Sequence, residues 1–272
     1  MADLLIVMNW LLPLLYLALL IEYGAAFFLR APRRGGRWRL PAVWGLHAAF
    51  LLLLGAFARR PIPANNYEVL SVVAASMTAV YWVVEYASGE WRTGGFVLLA
   101  AFLMQYTASV FLPGADLTSG VAGSTGRPAG FHVIPSILAY AALTIAAIYG
   151  LLHLIARRNL KRRRFGVLFD RLPSLDLLGT MNWHALLTGF VFMTLAMASG
   201  AAMYLGGGHS SPGGPDAKIW TKILAGAAAW VLFAAAVAGK WLGRWAPERV
   251  SLISVVGFLF VAAILVASMI LS

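Results

Sequence analysis

The stretch FHVIPSILAYAALTIAAIYGLLHLIARRNLKRR, residues 131–163, sets a long apolar run directly against a basic one. Its apolar part, His132–Ile155, is longer than the about 20 residues that an α-helix needs to cross the hydrocarbon core of a membrane. Arginines and lysines follow from Arg157 onward, and such residues collect on the cytoplasmic side of membrane proteins. The stretch therefore predicts a transmembrane helix that ends at the inner surface.

The whole chain has the composition of an integral membrane protein. Of its 272 residues, 61% are hydrophobic and 11% are charged, and its mean hydropathy is +0.81. A typical soluble domain has about 25% charged residues. We predict an all-α protein, a single domain over residues 1–272 with eight transmembrane helices. The predicted spans are Leu4–Leu29, Pro41–Phe57, Tyr67–Ala87, Gly94–Leu112, His132–Ile155, Ala185–Leu205, Trp220–Ala238 and Val250–Leu271.

The basic residues predict the orientation of these spans. Sixteen of the 21 lysines and arginines lie in the loops after the first, third, fifth and seventh spans. These loops are therefore predicted inside, with both termini on the outer, periplasmic side of a bacterial inner membrane. Because topology and anionic lipid headgroups account for the net charge of +11, we expect no nucleic-acid partner. The first span lacks a basic start and is predicted to stay as a helix rather than to be cleaved as a signal peptide.

The loop between spans five and six carries a helix-start signal. Pro173 and Ser174, with Asp176 shortly after, predict a break and then the N-cap of a helix that runs into span six. Upstream of them, basic residues alternate with apolar ones, which is typical of a helix lying on anionic headgroups.

Histidines near the inner face are the first candidates for chemistry. His47 lies six residues into span two, about 9 Å deep. One ring nitrogen could ligate a haem iron while the other is held by a hydrogen bond, or the ring could simply hydrogen-bond a neighbouring helix. His184 could complete a bis-His clamp with it, or lie in an aromatic belt beside Trp183. His153 is expected at the interface.

Further ionisable residues leave two alternatives open. His132 and His209 could supply an outer axial pair, or lie in the headgroup region and in a solvated loop. Glu22 and Glu85 could pair with basic residues at the surface or form a polar path from the inner side. Nucleophile elbows, zinc-binding His pairs around a Glu and paired carboxylates are missing from the sequence, so we predict no catalytic residues and no enzyme.

Four segments together resemble a known family. They are the opening stretch, LPSLDLLGTMNWHALLTGFVFMTLAMASGAAMYL at residues 172–205, DAKIW at 216–220 and RVSLISVVGFLFVAAILVAS at 249–268. They resemble the cytochrome c assembly family of eight-span proteins, with its CcsA-, HemX- and YpjD-like members. The resemblance covers about half of the chain, and over the first four spans it rests on the span count and His47.

The resemblance implies haem-binding roles for particular residues. His132 looks like the outer-face haem ligand of the family, and His47 looks like its inner-side histidine. DAKIW looks like the end of the family's D-P-K-E-x-W pattern, which implies that Asp216, Lys218 and Trp220 lie where the family presents the haem edge and propionates. By helix physics alone, Asp216 is also a plausible N-cap of the seventh span.

Departures from the family pattern bear on function. The tryptophans expected before DAKIW are replaced by GGGHSSPGGP, and Lys240 stands where relatives carry an inner histidine, for which His184 could substitute. We expect an accessory protein that handles haem b in haem or cytochrome c biogenesis, without catalytic turnover. Its expected partners are membrane lipids and membrane proteins of cytochrome c biogenesis or of a respiratory complex. The alternative is a non-haem structural subunit that anchors a larger membrane complex.

The predicted orientation is testable because the chain has no cysteine. Single cysteines introduced by Gly36→Cys and Ser119→Cys mark an inner and an outer loop. In intact cells, a membrane-impermeant maleimide should label Ser119→Cys, while Gly36→Cys should react only after the cells are opened. The reverse pattern would place both termini inside.

Overall fold

The computed structural model consists of α-helices. It describes residues 2–29, 38–59, 63, 65–114, 127–163, 166–205 and 217–270, and within these ranges it has no strand. Eight of the helices described there are long and apolar enough to cross a membrane, which confirms the predicted all-α class and number of spans. The helices are α1 (Ala2–Leu29), α2 (Arg39–Ala58), α3 (Asn66–Ser88), α4 (Gly94–Phe111), α5 (Arg127–Lys161), the short α6 (Val167–Arg171), α7 (Leu175–Leu205), α8 (Ala217–Trp241) and α9 (Pro247–Ile270).

The chain divides into two compact units. The amino-terminal unit comprises residues Met1–Thr125 and Arg162–Pro173, and the carboxy-terminal unit comprises Gly126–Lys161 and Ser174–Ser272. The prediction of a single domain over the whole chain stays a prediction.

In the amino-terminal unit, the four long helices form a closed ring. Helices α1 and α3 each contact both α2 and α4. Leu5, Met8 and Leu12 of α1 pack against Phe50 and Leu54 of α2 in an apolar core. This ring sets the polar side chains of four helices around a common interior.

In the carboxy-terminal unit, α5 contacts α7 and α9, and α8 contacts the same two helices. The core lies between them and contains Leu143, Ala146, Leu186, Ala229, Phe233, Ala236, Val250 and Val261. Because lipid tails are as apolar as these side chains, such helices associate through close packing and hydrogen bonds rather than through burial from water.

The segment between spans five and six differs in part from the prediction. Helix α7 begins at Leu175, ten residues before the predicted span, and the amide of Leu177 donates to the Ser174 hydroxyl at 3.3 Å. The predicted N-cap is thereby confirmed. The predicted surface helix is shorter, since α6 has only five residues. Helix α5 runs on to Lys161 because arginine and lysine are good helix formers, and it takes up much of the basic run.

Gly150 permits a close approach of α5 to α9. A Cβ atom at this position would lie 2.9 Å from the Ser251 carbonyl oxygen and 3.1 Å from Asn182 Nδ2. Small residues let the backbones of membrane helices approach in this way. The contact holds three helices of the carboxy-terminal unit together.

Gly150→Ala should destabilise the protein by about 1–3 kcal/mol, because the new methyl group meets backbone that cannot rotate away. The matched control is Gly226→Ala on α8, where an added Cβ would meet nothing within 4 Å. That variant should be neutral or gain up to about 1 kcal/mol from helix propensity. Thermal unfolding in mild detergent measures both, and equal Tm values for the two variants would contradict the packing described here.

Candidate functional site

His47 lies at the centre of a buried polar chain in the amino-terminal unit. The residue is fully buried, with 0% relative exposure. Its Nδ1 atom lies 2.9 Å from the Tyr16 hydroxyl oxygen on α1, and its Nε2 atom lies 2.9 Å from the Ser71 hydroxyl oxygen on α3. Both ring nitrogens are therefore within hydrogen-bond distance of hydroxyl groups.

The polar chain extends in both directions from His47. Tyr16 contacts the Thr78 hydroxyl at 3.0 Å, and Ser71 contacts the Gln105 side chain of α4 at 2.8 Å. Gln105 in turn contacts the hydroxyl of Ser109 at 3.0 Å. We call these six residues the His47 chain: Tyr16, His47, Ser71, Thr78, Gln105 and Ser109. They join α1, α2, α3 and α4.

Helical spacing brings the members of this chain together. Ser71 and Thr78 lie seven residues apart, close to two helical turns, and Gln105 and Ser109 lie four apart. On α1, Asn9, Tyr16 and Tyr23 are also spaced by seven and share one buried face. The sequence predictions did not include this polar face, although the spacing of seven residues can be read from the chain.

The two glutamates take different environments. Glu22 pairs with Arg39 at 3.1 Å, and the predicted surface ion pair is confirmed for this residue. Glu85 is buried, with 6% exposure, and its carboxylate accepts a hydrogen bond of 2.5 Å from the Tyr23 hydroxyl. The same buried face of α1 thus carries a further polar contact into the interior of the amino-terminal unit.

His132 lies near the start of α5 in the carboxy-terminal unit and is partly buried. Its Nδ1 atom lies 2.8 Å from the carbonyl oxygen of Ala196 on α7. A carbonyl oxygen can only accept, so Nδ1 carries the proton and a neutral imidazole keeps its unshared pair on Nε2. No hydrogen bond to Nε2 occurs among the residues that the structure describes.

Gly200 makes room for the imidazole of His132. A Cβ atom at position 200 would lie 3.1 Å from both Cε1 and Nδ1 of the ring. Such a contact is tighter than ordinary van der Waals packing, so a side chain at this position would displace the ring from Ala196. The absence of a side chain at Gly200 thereby helps to set the direction of Nε2.

His153 is buried against neighbouring helices, with 5% exposure, and its expected position at the membrane interface stays a prediction. Because α5 continues to Lys161, the residue lies two turns inside the helix and packs against α9. Its Nδ1 atom lies 3.1 Å from the Ser251 hydroxyl oxygen, which also lies 3.4 Å from Asn182 Oδ1. Asn182 Nδ2 donates to the Ala146 carbonyl oxygen at 2.7 Å. This second polar cluster joins α5, α7 and α9.

The other predicted site residues lie elsewhere. His184 is exposed on α7, beside Trp183, whose ring packs edge-on against Trp241. His47 and His184 belong to different units, and their pairing stays a prediction. His209 and Asp216 lie outside the described residues, so the N-cap predicted at Asp216 stays a prediction. Helix α8 begins at Ala217 and contains Lys218 and the exposed Trp220.

Comparison with known proteins identifies the family. The family model described as "Cytochrome C assembly protein" matches residues 63–271, well over half of the chain. The chain belongs to the cytochrome c assembly protein family. Searches of curated proteins and of solved structures found no match.

Family membership supports a role in cytochrome c biogenesis and suggests that haem is involved. The chain is a multi-pass membrane protein of this family. The match includes α3 and α4 and so extends further than the resemblance that the sequence motifs carried. It begins after α2, which leaves His47 outside the matched residues.

The donors among the described residues can be compared with those that a bare metal ion and a haem require. No group of three His, Asp or Glu side chains gathers within the described ranges. Haem needs only one or two axial ligands from the protein. A single imidazole held by a carbonyl oxygen, as at His132, fits that requirement, since ligating histidines usually donate their other ring N–H to a carbonyl or carboxylate.

Asn182→Ala should destabilise the carboxy-terminal unit, because the Ala146 carbonyl oxygen loses its side-chain donor and the Ser251 hydroxyl loses one of its two side-chain partners. The cost of losing these buried hydrogen bonds is about 1–3 kcal/mol. The matched control is Thr188→Ala, at an exposed position of the same helix. Thermal unfolding in mild detergent should show a lower Tm for Asn182→Ala only, and an unchanged Tm would show that the cluster contributes nothing.

Proposed function

We propose that this protein binds haem b through His132 near the outer face of a bacterial cytoplasmic membrane, as an accessory protein in cytochrome c or haem biogenesis. The observation that carries this proposal is the hydrogen bond of 2.8 Å between His132 Nδ1 and the Ala196 carbonyl oxygen. It holds the imidazole in the tautomer that keeps Nε2 available for a metal.

The residues of the carboxy-terminal unit would share this task. Bound haem would supply an iron that accepts the unshared pair of a ring nitrogen. The carbonyl of Ala196 orients the imidazole and increases its basicity, and Gly200 leaves space for the ring. Holding the ring in advance lowers the entropy lost on binding. We assign no catalytic turnover to these residues.

The segment at the start of α8 would contact the rest of the ligand. Asp216, Lys218 and Trp220 match the family's motif by position. A lysine ammonium can pair with a carboxylate such as a propionate, and a tryptophan can pack on an extended aromatic ring. His209, in the preceding loop, is proposed as a second axial ligand on the same side.

The setting of the proposal follows from the charge pattern. With the basic loops inside, the amino-terminal end of α5 faces the outer side, and His132 lies close to it. The proposed partners are lipids of the inner membrane and other membrane proteins of cytochrome c biogenesis.

The test measures how much haem is bound to the purified protein. Protein prepared in mild detergent from haem-replete cells should show a Soret band, with near-stoichiometric haem b in a pyridine haemochrome assay. His132→Ala should lose most of this haem, and Gly200→Val should lower its affinity because the side chain displaces the ring. Thr188→Ala changes an exposed side chain of α7 and serves as the matched control, with unchanged haem.

Two results would contradict the proposal. Full haem in a folded His132→Ala variant would remove His132 as the ligand. Folded wild-type protein without haem, purified together with stoichiometric membrane partners, would instead favour a structural subunit that anchors a larger complex.

A further inference from the structure

The interior position of His47 leaves no ring nitrogen free for a metal. Ligation uses the unshared pair of one ring nitrogen. In this fully buried ring, Nδ1 faces Tyr16 and Nε2 faces Ser71, each at 2.9 Å. An iron at either nitrogen would have to displace one of these hydroxyl groups from the interior of the amino-terminal unit.

The hydrogens of the His47 chain can be assigned from one end. The Thr78 hydroxyl donates its only hydrogen to the Ala74 carbonyl oxygen at 2.8 Å. Tyr16 must therefore donate to Thr78, and it accepts in turn from the N–H of His47 Nδ1. A neutral His47 then has Nε2 as an acceptor, and the hydrogen that it accepts comes from Ser71.

The other half of the chain follows by the same rule. Since the single hydrogen of Ser71 goes to His47, Gln105 must donate to Ser71. A half-turn of the Gln105 amide places its Nε2 atom on Ser71 and its Oε1 atom on Ser109, with the two distances of 2.8 and 3.0 Å unchanged. Ser109 then donates to Gln105. In this assignment every link has one donor and one acceptor. All of the hydrogen bonds are donated in the same direction, from the Ser109 hydroxyl to the Ala74 carbonyl oxygen.

We infer that His47 is no haem ligand in this protein and that the His47 chain is a closed polar lock joining α1 to α4. Metal binding at Nε2 would displace the Ser71 hydroxyl from the ring and break the chain between His47 and Gln105, which costs the hydrogen bonds that this buried contact holds in place. The inference rests on the proposed function in one respect, which is that His132 and not His47 is taken as the haem ligand.

The first test separates hydrogen bonding from metal ligation at position 47. His47→Gln keeps one donor and one acceptor on a side chain of similar length, whereas His47→Leu has neither. We expect His47→Gln to retain the wild-type ratio of haem to protein, while His132→Ala loses it. A folded His47→Gln variant with wild-type Tm but without haem would overturn the inference.

The second test measures the lock without haem. Tyr16→Phe removes only a hydroxyl, and we expect it to lower Tm in the wild-type background by about 5 °C. In the His47→Leu background this shift should fall to less than half, because the chain is already broken. Tyr106→Phe, at an exposed position of α4, is the matched control and should shift Tm in neither background.

These results distinguish the two proposals. Equal Tm shifts for Tyr16→Phe in both backgrounds would overturn the lock. Wild-type protein that is folded but free of haem would overturn the proposed function, and the coupling between Tyr16 and His47 would then decide the inference alone.

Discussion

The structure depends on the cost of leaving a polar group without a partner in an apolar interior. Helices satisfy the backbone, since every N–H and C=O within a span bonds inside its own segment. The same requirement applies to buried side chains. In each unit it produces a polar cluster that joins helices: the His47 chain among α1 to α4, and Asn182, Ser251 and His153 among α5, α7 and α9.

The histidines of α2 and α5 show how one residue type takes different roles. His47 has a hydroxyl group at each ring nitrogen, and His153 has one at Nδ1. His132 instead meets a carbonyl oxygen. A hydroxyl can donate or accept, so it adapts to either tautomer, whereas a carbonyl oxygen selects one. The Ala196 carbonyl therefore fixes Nδ1 of His132 as a protonated nitrogen, which leaves the unshared pair of the neutral ring on Nε2.

Much of the fold could be predicted because it depends on consecutive residues. The eight spans, the helix start at Ser174 and the ion pair of Glu22 follow from hydropathy, capping preference and the reach of a charged side chain. The burial of His153 could not be predicted in this way, because it depends on how far α5 continues and on the packing of α9 against it. The polar face of α1 could have been predicted from the spacing of Asn9, Tyr16 and Tyr23. These side chains carry no charge, however, and so were not considered as candidates for function.

By itself, the sequence determined that the chain is an eight-span helical membrane protein and where the helix of its sixth span is capped. Only the tertiary structure decided what each histidine can do. The partners of His47 and His132 lie 24 to 64 positions away along the chain. Hydropathy and helical period report on neighbouring residues, whereas the state of a ring nitrogen is set by the group that packing places against it.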